Sequence, residues 1–253
     1  PIINNNSVTL FVGPETDVSA LAPEFTLTPG ATISPLSGTV HDFNLPQKYT
    51  VTAADGVWKK TYTVSVIDTE LATNYNFEDT LGGKKYYIFV ERQEDKVIME
   101  WASGNAGYAM TGVPKTADDY PTFQIADGKE GKCLSLVTRS TGFFGQLMGM
   151  PIAAGNLFIG SFDVNNAMSY PLQATKFGLP FRYVPTYLAG YYKYKAGDKF
   201  TEEGKPVDGK RDICDIYAIM YETSESVPTL DGSNAFTSPN LVSIARIDNA
   251  KET

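Results

Sequence analysis

Residues 48–68, KYTVTAADGVWKKTYTVSVID, decide the fold of this chain. Tyr49, Val51 and Ala53 alternate with polar residues, and Trp58, Tyr62, Val64 and Val66 resume the alternation. A period of two puts every second side chain on one face of a strand, so the stretch predicts two strands that each bury one side. Between them Asp55-Gly56 is a two-residue hairpin signal, since both central positions of that turn take positive φ. Upstream, Val8, Leu10 and Val12 form a short strand, and residues 25–27 and Ile33 are further candidates. Pro14, Pro23, Pro29, Pro35 and Pro46 mark the loops between them. Residues 1–68 therefore read as a small β-sandwich, followed by a short linker, TELATNY.

The remainder, residues 74–253, reads as a second and larger β domain. Strands are predicted at 86–90, 97–101, 133–138, 157–163, 188–194, 213–221 and 241–247. ICDIYAIMY, residues 213–221, is apolar on both faces, which predicts a central strand. No long stretch carries a 3.6-residue period without Gly or Pro, so the expected class is all-β, with a two-sheet sandwich of jelly-roll type as the larger domain. Residues 246–253 run on without a closing strand, and the expectation is that the domain continues past them.

Composition narrows the function. The 253 residues are 42% hydrophobic, enough for a packed core, and carry a net charge of -8. An acidic chain repels phosphate backbones and anionic lipid headgroups, so nucleic acid is not an expected partner. No apolar run reaches the length of a membrane span, and PIINNN at the start has no signal-peptide character. The one histidine, His41, has no nucleophile signature nearby, which argues against Ser-His-Asp and Cys-His chemistry and against a zinc site. Cys133 and Cys214 each lie in an apolar run; two buried thiols and a single bridge both fit.

The run FGLPFRYVPTYLAGYYKYKAGDKF, residues 177–200, crowds eight aromatic rings around Gly and Pro. A ring with an apolar face and a polar rim suits a ligand of the same character, such as a sugar. Tyr187, Tyr191 and Trp101 are the candidates for stacking, and Arg182, Asn105 and Asp212 for holding hydroxyl groups. Ordinary core packing competes for each ring, and a surface charge for Arg182. With residues 188–194 as a strand, Tyr187, Tyr191 and Lys193 share the wetter face. Glycoside hydrolysis is the alternative, and needs two opposed carboxyl groups, one with a raised pKa. Glu100, beside Trp101, and Asp215, in an apolar run, are its candidates, set against strand carboxylates held by a backbone or lysine partner. A non-catalytic adhesion protein is the third possibility.

Two segments resemble known families. LAPEFTLTPGATISPLSG, with DFNLPQKYTVTAADGVWKKTYTVSV, resembles the immunoglobulin-like modules of surface lipoproteins from gut anaerobes. The second domain resembles the putative carbohydrate metabolism domain family, through NFE (76–78), Trp101 with Ser103-Gly104-Asn105, Tyr120-Pro121, GNLFIGSF (155–162), and ATKFGLPF with the following VPTYLAGYYKYKAGD. The resemblance implies an immunoglobulin-like spacer ahead of a jelly-roll. It implies an exported, outer-membrane-surface or periplasmic lipoprotein tied to glycan use, whose only membrane attachment is a lipid anchor outside this chain. NFE also resembles the place where many carbohydrate-binding sandwiches hold structural calcium, with Glu78 as the hard ligand. A plain first strand is the competing reading of NFE.

Overall fold

The computed structural model describes residues 1–3, 5–68, 70–202, 204–247 and 250–253. Thr69 of the expected linker and Asp248-Asn249 after the last strand lie outside them. The chain forms two compact units, Pro1–Ala72 with Pro180–Arg182, and Thr73–Leu179 with Tyr183–Thr253. Both are built from strands with only short helical turns, so the all-β expectation holds.

The first unit is one five-stranded sheet. Its strands are β1 (Ile2–Ile3), β2 (Ser7–Phe11), β3 (Thr32–Ser34), β4 (Gln47–Thr52) and β5 (Lys59–Ile67), in the order β1-β2-β5-β4-β3. β2 runs parallel to β5, with Val8 opposite Val64, while β4 and β5 are antiparallel, with Tyr49 opposite Tyr62. The alternation read from residues 48–68 is what builds the core. Tyr49, Val64 and Val66 are buried together with Val8, Ile33 and Phe43, and Val18, Leu21, Phe25 and Leu27 from the preceding loops close over them. Each such side chain removed from water contributes about 1.5–3 kcal/mol.

Two local expectations fail here. The hairpin loop is six residues long, since Thr52 pairs with Lys59. Within it Gly56 alone takes positive φ, at 70°, and Asp55 Oδ1 accepts from the N–H groups of Val57 and Trp58. Asp55 thus caps a wider turn from ordinary backbone geometry. Trp58 lies in that loop rather than on the strand and is 76% exposed. Its parity matches the buried face, but the core ends at Tyr62, one residue pair before Lys60.

The second unit is a set of short antiparallel ladders. β6 (Val90–Gln93) pairs with β7 (Lys96–Glu100), β8 (Thr122–Ile125) with β9 (Cys133–Leu136), and β10 (Arg139–Ser140) with β11 (Ile152–Ala153). β13 (Thr175–Phe177) lies between β12 (Gly160–Phe162) and β17 (Leu230–Asp231), and β14 (Thr201–Glu202) pairs with β15 (Lys205–Pro206). β16 (Ile216–Tyr221) pairs with β18 (Leu241–Ile247). Phe89, Val90, Ile98 and Met99 are buried on both faces of the first hairpin. β16, expected as a central strand, has β18 as its ladder partner among the described residues. Its apolar side chains serve packing by rings: Tyr217 meets Phe177 and Phe236 edge-on, and the Tyr221 hydroxyl donates to the Phe177 carbonyl. Cys133 and Cys214 are free thiols, and burial raises the pKa of Cys214.

Candidate glycan-binding surface

The expected strand at 188–194 does not form. Residues 184–197 run without turn, bend or ladder. Pro185 has no N–H to give a ladder and Gly190 no side chain to pack. The segment stays extended, and two of its rings stand in solvent: Tyr187 is 82% and Tyr191 81% exposed.

The turn after β8 holds the segment in place. Lys129 Nζ lies 3.4 Å from the centroid of the Tyr191 ring, and Lys193 Nζ lies 3.0 Å from Asp127 Oδ2. Two charged residues, two apart in the turn, thus engage Tyr191 and Lys193, two apart in the extended chain. Each exposed contact is worth about 0.5–1 kcal/mol or less. Further along, Tyr194 N–H donates to Thr253 Oγ1 and Thr253 N–H to the Tyr194 carbonyl, both at 3.1 Å. Ala196 N–H donates to Glu252 Oε1 at 3.0 Å. The ammonium occupies one face of the Tyr191 ring and leaves the other open.

Glu78 fixes the turn itself. Its Oε1 accepts from the Lys132 N–H at 2.7 Å, and its carboxylate fills the space beside Gly131. Gly131 has φ +64°, and a Cβ there would fall inside the radius of Glu78 Oε1. Gln124 Nε2 donates to the carbonyls of Phe77 and Glu78, at 2.7 and 2.9 Å. Phe77 takes φ +58°, so Asn76-Phe77-Glu78 is irregular backbone and not a first strand. Calcium takes about six to eight oxygen ligands. Here Glu78 Oε1 is taken by the turn, and among the described residues no three acidic, histidine or cysteine side chains converge.

Trp101 belongs to an aromatic cluster that includes Phe77 of the same segment. Its ring lies 5.5 Å from Phe77 and 4.9 Å, edge-on, from Tyr75. Its indole N–H donates to Glu91 Oε1 at 2.8 Å. Burial raises the pKa of Glu91; the Trp101 N–H opposes this and the charge of Asp79 adds to it. Burial and the Glu91 charge together push Tyr75 up to about 12.

The other sequence candidates serve different ends. Asn105 is 0% exposed and spends its whole amide on Thr122: Nδ2 donates to the Thr122 carbonyl at 2.7 Å, and Oδ1 accepts from the Thr122 N–H at 3.2 Å. A side chain so enclosed cannot reach a sugar. Arg182 packs with the first unit, its guanidinium over Gly13. Asp215 accepts a fork of two bonds from Arg246, at 2.9 and 2.8 Å, the ordinary partner that competes with a catalytic role. Asp212 is exposed and accepts from the Ile213 N–H. Glu100 is exposed at the end of β7. Sequence reasoning missed Lys129, Asp127 and Glu91. Glu91 shares the parity of buried Phe89, a signal present in the sequence, whereas nothing local marks contacts made across more than sixty residues.

Comparisons with known proteins support a carbohydrate-associated role. Residues 76–253 match the model of the putative carbohydrate metabolism domain, and residues 2–66 that of SGBP, N-terminal. The chain belongs to the putative carbohydrate metabolism domain family. It is 85% identical to a crystal structure described as a putative glycoside hydrolase from Bacteroides thetaiotaomicron, covering 100% of this chain and 74% of that one, with a TM-score of 0.89. A second crystal structure with the same description, from Bacteroides vulgatus, is 47% identical over 71% of this chain and 73% of that one, with a TM-score of 0.65. No curated protein matches.

Proposed function

We propose that this protein is an exported glycan-binding protein of carbohydrate utilisation, held at the cell surface, with Tyr187 and Tyr191 as its stacking platform and the first unit as a spacer. The observation that carries this reading is the pair of rings standing more than four-fifths exposed, one of them steadied by Lys129. A sugar covers such a face while its hydroxyl groups stay in water or meet Lys129 and the phenol edges. The SGBP match of the first unit supports export and glycan binding. The test is a glycan array with the purified chain, repeated with Tyr191→Ala. Binding that falls at least tenfold in the variant supports the reading; no binding to any glycan refutes it.

Glycoside hydrolysis has one observation in its favour. Glu91, half-buried beside Trp101 and Tyr75 and near the charge of Asp79, has its pKa raised by burial, the direction a general acid needs. In that reading Glu91 is the general acid, and Glu91→Gln abolishes release of reducing sugar from a bound glycan. Binding without release in the unaltered chain decides against it.

A further inference from the structure

We infer that the platform reads the interior of an extended glycan chain, spanning about three sugar units, rather than a single sugar or a chain end. This rests on the glycan-binding reading and deepens it. Residues 184–197 make no turn or bend, so the four steps from Tyr187 to Tyr191 span about 13 Å. That is longer than one pyranose ring. Exposure alternates along the segment, Tyr187 at 82% and Tyr191 at 81% against Leu188 at 42% and Tyr192 at 37%, so residues two apart share a side, which puts Tyr187, Ala189 and Tyr191 in a row. The contacts of Tyr191 and Lys193 with one turn, through Lys129 and Asp127, fit that alternation. The row reads ring, methyl, ring: two stacking faces with a low point between them.

Gly190 keeps the space around it open. Its φ is not positive, and a Cβ there meets no atom within 4 Å, so no local packing or backbone geometry demands glycine. Among the described residues neither ring is enclosed, Tyr187 being 82% and Tyr191 81% exposed, so no wall there measures the end of a chain. A ligand that touches only one ring gains one stacking contact. A ligand that bridges both gains the second without a second loss of translational freedom, so affinity climbs steeply at the length that spans them and then levels.

The experiment uses the full chain. Affinity electrophoresis against xylan, glucomannan, pectic galactan, pullulan, levan and mucin glycans finds the retained polymer. Fragments of one to six units from that polymer are then titrated by calorimetry into the unaltered protein and into Tyr187→Ala, Tyr191→Ala and the double variant. The expected result is at least a tenfold gain between one unit and three or four, a plateau beyond, and loss of that gain in either single variant. A single sugar that binds as tightly as the hexamer, or a length dependence that survives Tyr187→Ala, overturns the inference while leaving glycan binding intact. Retention on none of the polymers overturns both.

Discussion

Asn105→Ala separates a structural amide from a sugar-binding one. The Asn105 side chain acts as one more strand beside β8, matching the N–H and C=O of Thr122, which is itself 1% exposed. Truncation leaves two buried backbone groups without partners. Each costs about 1–3 kcal/mol, so the variant loses about 2–6 kcal/mol. With a urea dependence of about 2 kcal/mol per molar, the midpoint falls by roughly 1–3 M. Tryptophan fluorescence follows the right unit, because Trp58 is already exposed in the folded chain and Trp101 lies half-buried in the second unit. Asn105→Asp keeps the acceptor for the Thr122 N–H but turns a carboxylate toward the Thr122 carbonyl, so at neutral pH it loses at least as much. Glycan affinity of the folded fraction stays unchanged in both. A midpoint shift below about 0.3 M, or a fold-intact variant that loses glycan binding, refutes the argument.

Two further outcomes follow from the same geometry. Glu91 has its pKa raised in the folded state, so between the unfolded and folded values the native chain holds more protons, and stability falls as pH rises through that window. Glu91→Gln keeps an acceptor for the Trp101 N–H without the charge; it gains melting temperature at pH 7, and the gain disappears below the ordinary carboxylate range. An equal difference at pH 3 and pH 7 counts against this. Gly131→Ala forces a side chain into positive φ and against the Glu78 carboxylate, costing more than about 1 kcal/mol, and it displaces the turn that carries Lys129. Chemical denaturation reads the loss, and glycan titration reads a weakened Tyr191 contact; unchanged affinity in a destabilised variant shows that the turn does not position the platform.

The sequence by itself determined the class of this protein, because alternation and turn chemistry act over a few residues. The period of two in residues 48–68 places Tyr49, Val64 and Val66 in the core of the first unit without help from distant chain. Solvent exposure of the tyrosines was legible only in outline, since Tyr191 and buried Tyr120 have the same side chain and differ in what the rest of the chain lays over them. Trp58 shows the limit from the other side: its parity was right, and the sheet simply ended before it. Only the tertiary structure decided that Asn105 serves Thr122, that Arg246 claims Asp215, and that Lys129 finds Tyr191. Each of these is a pairing of polar or charged groups far apart in sequence, governed by distances of a few ångströms that no local pattern encodes.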